Sequence, residues 1–210
     1  MASIKLITDS TSDIMKAVAE QWGIRVLPLT VHFGDKSYAD GVELASTDFF
    51  DMLKQSDVFP TTSQISPAAF EQAFREELHT HDTLIVVTLS SKGSGTYQSA
   101  CIAKEMVLED TPEADIVLID SLSFCSGYGM IVVEAAKMLQ DGRTKQEIID
   151  HITNSCANLE IYILADTLEY LKKGGRVSNI AALIGGMLNI RPILTVRDGM
   201  VASKGKLRGN

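Results

Sequence analysis

The sequence lacks an apolar run long enough to cross a membrane. Its longest apolar stretch, Ile180 to Leu188, contains a Gly-Gly pair and is well short of the roughly 18 to 20 apolar residues that a transmembrane helix requires. The N-terminus also shows no signal-peptide pattern. We therefore expect a cytoplasmic protein that does not insert stably into a membrane.

Cysteine and histidine are too few and too scattered to indicate a disulfide framework or a metal site. The three cysteines, Cys101, Cys125 and Cys156, form no Cys-x-x-Cys pair, so buried free thiols are expected. Of the four histidines, His79 and His81 are two residues apart and the others are isolated, which favours ordinary structural roles over metal binding. We expect no metal and no cofactor.

Positive charge is also scarce. The formal net charge is -8 and the sequence pI is near 5.0, whereas proteins that bind a phosphate backbone need a basic face. A nucleic-acid partner is therefore not expected. The 210 residues, of which 45% are hydrophobic and 22% charged, suffice for one large domain or two small ones.

Apolar, β-branched runs alternate with helical patterns along most of the chain. Residues 4–8, 83–89, 115–120 and 159–165 are largely apolar, which is typical of strands buried on both faces. This pattern predicts an α/β fold with a mainly parallel sheet covered by helices, a Rossmann-like lobe over residues 1–165.

Local signals define several other elements. Residues 25–33 alternate as one strand that continues into a hairpin arm at Gly34-Asp35. Thr47 is a candidate cap for a short helix. Ser66 followed by Pro67 predicts a helix start, and Thr144 with Glu147 predicts a capping box.

The chain beyond about Asp166 has a different pattern. A glycine hinge at residues 172–178 leads into a helix, 179–190, that is apolar on nearly every side and must be surrounded. Residues 191–203 then predict a hairpin with Asp198-Gly199 at its turn. We interpret residues 166–210 as the start of a second, smaller α+β lobe.

Three hydroxyl-rich loops, at residues 8–13, 89–100 and 120–130, each follow a predicted strand. Ligands in open parallel sheets gather at the carboxyl ends of the strands, so these loops are candidate site components. Ser94 lies between two glycines at a helix start, where its hydroxyl and the free amides could bind a carboxylate or phosphate oxygen. The alternative is that Ser94 and Thr96 only cap the helix.

Motifs of nucleophilic and nucleotide chemistry are not matched. The glycines flank Ser94 directly rather than at the spacing of a hydrolase elbow, and Lys92 precedes them rather than following as in a phosphate loop. The paired glycines at 127 and 129 are more typical of helix packing than of a cofactor site. An enzyme acting on an acyl or phosphate substrate through Ser94 or Ser121 remains the alternative hypothesis.

Six motifs in order resemble the DegV family, whose members bind long-chain fatty acids, and they span residues 8–194. They are TDSTSD, FPTTSQISP, LSSKGSGTYQSA, DSLSFCSGYGM, LEYLKKGGRVS and GGMLNIRPIL. The resemblance implies two lobes with a buried acyl chain, and a carboxylate that is hydrogen-bonded by Thr62 and Ser94.

The resemblance also implies a role. Related proteins are the carrier subunit of a fatty acid kinase and present the carboxylate to a separate ATP-binding subunit that makes an acyl phosphate. We therefore expect a lipid-binding carrier, monomeric and without catalysis of its own, with the kinase catalytic subunit as partner. Family members usually continue past Asn210, so the second lobe is expected to be truncated, and Gly93 replaces the family's usual leucine.

Further residues are assigned by their place in these motifs or in the apolar segments 130–133 and 180–188. Additional head-group contacts are expected from Ser63, Gly95, Thr96, Ser126 and Arg176. The acyl chain is expected to be lined by Phe59, Ile65, Met130, Ile131, Leu183, Ile184, Met187 and Ile190. Packing without a ligand is the alternative for each lining residue.

Overall fold

The computed structural model describes residues 3–165, 169–176 and 190–208, with side chains described for all of these except 190, 191 and 206–208. In chain order the strands are β1 (Ile4–Asp9), β2 (Arg25–Leu27), β3 (Thr30–Phe33), β4 (Lys36–Ala39), β5 (Thr61–Ser63), β6 (Thr83–Thr88), β7 (Asp115–Asp120), β8 (Tyr162–Leu164), β9 (Ile190–Arg197) and β10 (Met200–Arg208). The helices are α1 (Lys16–Gln21), α2 (Ser46–Gln55), α3 (Pro67–Leu78), α4 (Thr96–Asp110), α5 (Ser126–Gln140), α6 (Lys145–Ala157) and α7 (Glu169–Gly174).

A four-stranded sheet in the order β2-β1-β6-β7, with every pairing parallel, forms the centre of the fold. Because all four strands run the same way, the loops after β1, β6 and β7 emerge at one edge. Backbone hydrogen bonds join two of these loops, from Ser90 N to Ser123 O at 2.9 Å and from Ser121 N to Thr88 O at 3.1 Å. The predicted α/β architecture is confirmed.

Helices cover both faces of this sheet, as its largely apolar strands require. Leu6, Ile85 and Val87 pack on one face against α5 and α6, whereas Ile7 and Val86 pack on the other against α3 and α4. Successive strand residues alternate between faces. Burying each such side chain contributes roughly 1.5 to 3 kcal/mol.

The segment predicted as one strand, 25–33, forms two strands in different sheets. Its first part, β2, belongs to the parallel sheet, and β3 pairs antiparallel with β4 and β5 in a separate arm. Pro28 lies between the two strands. It interrupts the strand because a residue without an N–H cannot donate a hydrogen bond to a neighbouring strand. The hairpin turn into β4 was predicted correctly.

Capping positions follow the sequence signals with two exceptions. Ser66 accepts the Ala69 amide at 3.2 Å, and Thr144 forms the predicted capping box. Thr47 does not cap α2, whose N-cap is Ala45. The sequence pattern predicts a helix from about Asp13 to Trp22, but the helix begins only at Lys16, since Asp13 has a left-handed φ of 54° and ends a short 3-10 turn.

A second sheet, in the order β10-β9-β8, is antiparallel throughout. Its β9-β10 turn is at Asp198-Gly199, both with positive φ, as the sequence predicts. The interpretation of residues 159–165 as a strand of the parallel sheet is wrong, since β8 pairs with β9. Tyr162 and Leu164 are 57% and 55% exposed, so this strand is not buried on both faces.

The division into lobes at residue 165 stays a prediction, although the pairing of β8 favours grouping it with the second sheet. The apolar helix predicted over 179–190 lies almost wholly outside the described residues. Within the part of the chain that is described, no helix is long and apolar enough to span a membrane.

Candidate functional site

Ser94 lies in the loop between β6 and α4, beside the first helical turn. Its half-buried hydroxyl contacts Thr96 Oγ1 at 2.9 Å and accepts the Thr96 amide hydrogen bond at 3.3 Å. Gly95 is the N-cap and has no side chain to bond the other first-turn amides. Ser94 therefore bonds the first amide of α4 without being its N-cap residue, and it lies beside a helix N-terminus, where a hydroxyl and free amides can bind an anion.

Gln64 joins this helix start to the segment that carries Thr62. Gln64 Nε2 donates to Ser99 Oγ at 2.9 Å, on the first turn of α4. A Cβ atom at Gly95 would lie only 2.0 Å from Gln64 Oε1. Thr62 itself is exposed, in β5 two residues before Gln64. The two motifs that the family resemblance singles out are thus in direct contact.

Ser63 is engaged by a histidine that the sequence analysis did not identify. The Ser63 hydroxyl lies 2.7 Å from His32 Nε2, and the Ser37 hydroxyl lies 2.8 Å from His32 Nδ1. The neighbouring strands β3, β4 and β5 create this contact. Only the pairing of three separate strands brings these residues together, so the isolated histidine gave no local signal.

Arg176 contacts the Ser94 loop directly. Its Nε donates to the Gly93 carbonyl at 3.3 Å and its Nη1 donates to the Gly174 carbonyl at 2.6 Å. A Cβ atom at Gly93 would lie 2.6 Å from the Phe124 ring. Gly93 thus accommodates an aromatic ring from the loop after β7.

A buried carboxylate, also missed from the sequence, lies beneath these loops. Asp9 is fully buried. Its Oδ1 accepts from the Thr11 amide at 3.1 Å, the Thr11 hydroxyl at 2.5 Å and the Tyr128 hydroxyl at 2.7 Å, and its Oδ2 accepts from the Leu89 amide at 2.7 Å. Burial raises the pKa of the Asp9 carboxyl, opposed in part by these hydrogen bonds.

The second sheet meets the same edge through its hairpin turn. Ser90 is fully buried and its hydroxyl donates to the Gly199 carbonyl at 2.7 Å. Gly199 has a φ of 76°, and a Cβ there would lie 2.5 Å from Ser90 Oγ. This contact places a turn of the antiparallel sheet against the loop that carries Ser94.

The predicted acyl-lining residues have different surroundings. Ile65 and Ile131 are 4% and 5% exposed and pack in the cores on opposite faces of the parallel sheet. Phe59 stacks on Tyr170 of α7, with ring centroids 6.1 Å apart, and Lys173 lies 5.4 Å from the Phe59 ring. Contact of these side chains with an acyl chain stays a prediction.

Ser126 and Met130 line an open, mainly apolar cleft of about 210 Å³ between α5 and the α1 region. The Ser126 amide donates to Asp13 Oδ2 at 3.1 Å, and Met130 is 65% exposed. Three other expected lining residues, Leu183, Ile184 and Met187, and the side chain of Ile190 lie outside the described residues.

The alternative nucleophiles lack an activating base among the described residues. Ser121 is buried, and its hydroxyl bonds only the backbone of Ser123. Ser94 bonds Thr96. In the same part of the chain, no cluster of three or more His, Cys, Asp or Glu residues could hold a metal ion.

These features define an α/β protein whose hydroxyl-rich loops meet at the carboxyl edge of a parallel sheet. The chain belongs to the DegV family, whose model, described as an uncharacterised protein family, matches residues 3–210. A DegV domain-containing protein of Caldanaerobacter subterraneus subsp. tengcongensis is 41% identical over 209 residues, covering 100% of this chain and 73% of the relative.

Solved structures with the same fold include lipid-binding members of the family. A DegV family protein from Thermus thermophilus, described for its fatty acid binding, has a TM-score of 0.88 and 34% identity, covering 99% of this chain and 72% of its own. A stearic acid-binding protein from Eubacterium ventriosum has a TM-score of 0.90 and 30% identity, with 99% and 71% covered. A DegV family protein from Eubacterium eligens loaded with heptadecanoic acid has a TM-score of 0.81 and 28% identity, with 99% and 73% covered.

Proposed function

We propose that this protein binds a long-chain fatty acid, with Thr62 and Ser94 hydrogen-bonding its carboxylate. The observation that carries the proposal is the contact between Gln64 and the start of α4, because it joins the two segments that hold these hydroxyls. The fatty acids bound by similar structures from Eubacterium ventriosum and Eubacterium eligens support the same ligand class.

Hydroxyls and helix amides suit a carboxylate in a partly buried site. Hydrogen bonds to a charged acceptor are stronger than neutral ones, and the positive end of the helix dipole adds a favourable interaction with an anion. Neither requires burial of a cation, which would cost desolvation energy. Arg176, which contacts the Ser94 loop, is the cation we place nearest the head group.

Affinity for the acyl chain would come from burial of its methylenes. Each buried methylene contributes roughly 0.8 kcal/mol, so a long chain is held by bulk apolar lining without specific contacts. We place Phe59, Met130 and the apolar segment around Leu183 in that lining.

Binding is tested with delipidated protein and hexadecanoate. We expect one hexadecanoate per chain by native mass spectrometry, and about tenfold weaker binding for Thr62→Ala and for Ser94→Ala, the change expected from loss of one charged hydrogen bond. Thr61→Ala and Ser91→Ala are matched controls. Each removes the same kind of hydroxyl from a neighbouring exposed residue that we do not place in the site. Wild-type affinity in both site variants would overturn the site assignment.

We further propose that the protein presents the carboxylate to a separate kinase catalytic subunit rather than acting as an enzyme. Incubation with ATP and that subunit should then yield acyl phosphate, and Thr62→Ala and Ser94→Ala should reduce the yield. Turnover of ATP or an acyl ester by this protein alone would contradict the carrier role. The cytoplasmic location and monomeric state expected from the sequence stay predictions.

A further inference from the structure

We propose that Asp9 is a positioning residue of the carboxylate site, and that its buried carboxylate holds the loop that presents Ser94. This inference rests on the proposed function. Asp9 is at the end of β1, and its Oδ2 accepts the Leu89 amide at 2.7 Å, just after β6 ends. A carboxylate next to a site for another carboxylate would repel the ligand if it faced it, so its role must be exerted through the protein.

The Leu89 amide, which donates to Asp9, is connected to Ser94 by a short, hydrogen-bonded turn. The Ser90 carbonyl accepts both the Gly93 and the Ser94 amides at 3.1 Å. Ser90 follows Leu89 directly, and its own hydroxyl is fixed on the Gly199 carbonyl. A displacement of Leu89 would therefore move the whole turn and with it the hydroxyl of Ser94.

The arrangement requires a carboxylate rather than any polar side chain. Two backbone amides approach Asp9 from different sides, Thr11 N on Oδ1 and Leu89 N on Oδ2. A carboxylate accepts on both oxygens, whereas an amide side chain has one accepting oxygen and one donating nitrogen. In Asp9→Asn one of the two backbone N–H groups must face the side-chain NH₂, in either orientation.

Asp9 also ties this loop to α5. Tyr128 is fully buried and its hydroxyl donates to Asp9 Oδ1 at 2.7 Å, within 2.8 Å of the Thr11 hydroxyl. Thus one side chain links the loops after β1 and β6 with the helix that follows β7. We infer that Asp9 sets the relative positions of all three hydroxyl-rich loops.

The test compares Asp9→Asn with Asp115→Asn in delipidated protein. Asp115 lies at the opposite, amino edge of the same sheet, where it bonds Thr83 and Lys145, so it controls for loss of a hydrogen-bonded aspartate. Affinities are measured for hexadecanoate and for hexadecan-1-ol, which has the same chain without the charge. Hydrogen exchange of residues 89–96 is measured in parallel.

We expect Asp9→Asn to weaken hexadecanoate binding about tenfold, which corresponds to roughly one unsatisfied hydrogen bond. Binding of hexadecan-1-ol should be unchanged, and hydrogen exchange at the Leu89 amide should be faster. Asp115→Asn should change neither affinity. Unchanged hexadecanoate affinity in Asp9→Asn, or equal losses for both ligands, would overturn the inference.

If Asp9→Asn does not fold, Tyr128→Phe decides. This variant removes one donor to Asp9 and leaves no backbone group unpaired, and we expect a selective, about threefold loss of hexadecanoate affinity, at the low end for one hydrogen bond. Unchanged affinity for hexadecanoate would overturn the inference. Failure of the wild type to bind hexadecanoate would instead contradict the proposed function, and exchange at Leu89 in the Asp9 variant would still show whether Asp9 holds the loop.

Discussion

The side-chain amide of Gln64 occupies the space next to Gly95, so that a Cβ atom on this glycine would lie 2.0 Å from Gln64 Oε1. The backbone of Gly95 itself, with φ -77° and ψ 6°, is open to any residue. The glycine is therefore required by its neighbour and not by its own conformation. Through this contact, the segment that carries Thr62 packs against the start of α4.

We predict that Gly95→Ala weakens hexadecanoate binding more than it destabilises the fold. The added methyl displaces the flexible end of Gln64 from Ser99, which costs about 1 kcal/mol of unfolding free energy but shifts the segment that carries Thr62. Denaturant unfolding and ligand titration check the two effects.

The double variant Gln64→Ala, Gly95→Ala provides the control. Because Gln64→Ala removes the clashing group, adding Gly95→Ala to it should cost almost no further stability. Additive losses in the double variant would show that the contact between Gln64 and Gly95 is not the cause.

Gly129 of α5 makes a second close contact, with the backbone of Ser12, and we expect this contact to affect stability. A Cβ at Gly129 would lie 2.0 Å from the carbonyl oxygen of Ser12, a backbone atom that cannot move alone. We predict that Gly129→Ala lowers the unfolding free energy by about 3 kcal/mol through overpacking. Gly127→Ala is the matched control, since its Cβ would meet the mobile tip of Ile161 at 2.6 Å. A similar loss in both variants would contradict this explanation.

The elements that sequence patterns predicted correctly are those fixed by local chemistry. The Ser66 cap, the Thr144 capping box and the Asp198-Gly199 turn depend on residues within a few positions of one another. The packing role expected for the glycine pair of α5 agrees with the close contacts of Gly127 and Gly129. Local rules of this kind operate before tertiary structure is considered.

The strand predictions that were wrong concern segments whose structure depends on the strand that they pair with. An apolar run such as 159–165 has the same composition in a parallel and an antiparallel sheet, so its pairing with β9 could not be deduced from periodicity. Pro28, by contrast, was a visible signal that the strand over 25–33 is interrupted.

The site was predictable only in part for the same reason. Thr62 and Ser94 were assigned through family motifs, which mark residue types in order along the chain. The hydrogen bond from Leu89 to Asp9 joins residues 80 positions apart, and no local pattern reports such a contact. Asp9 lies within the TDSTSD motif, yet its burial and its four hydrogen bonds, from Thr11, Leu89 and Tyr128, follow only from the packing of three loops.

The capping box of α6 predicts a defined pH dependence of stability. Hydrogen bonds from the Thr144 amide and hydroxyl lower the pKa of Glu147 below its ordinary value of 4.5. A carboxyl with a lowered folded-state pKa stabilises the fold above its unfolded-state pKa, and this contribution is lost as the pH falls through the folded-state pKa. The wild type should therefore be more stable than Glu147→Gln above pH 4.5, and the difference should vanish below the folded-state pKa.

Urea unfolding of both proteins across this pH range measures the difference. In a Thr144→Ala background, which removes one of the donors, the difference should be smaller at every pH above 4.5. A difference that does not change with pH would show that the charge of Glu147 does not contribute through the cap.

Cys125, the N-cap residue of α5, has φ 59° and ψ -163°, a region that is essentially restricted to glycine and costs other residues about 1 to 3 kcal/mol. We predict that Cys125→Gly raises the unfolding free energy by about 1 kcal/mol. Relief of the backbone strain stabilises the fold by more than the roughly 0.4 to 1 kcal/mol that is lost because glycine gives the unfolded chain more conformational entropy. Cys125→Ala removes the thiol and keeps the Cβ, so it should leave stability unchanged. Denaturant unfolding under reducing conditions distinguishes the two variants. Equal stabilisation by alanine and glycine would assign the effect to the thiol and contradict the backbone explanation.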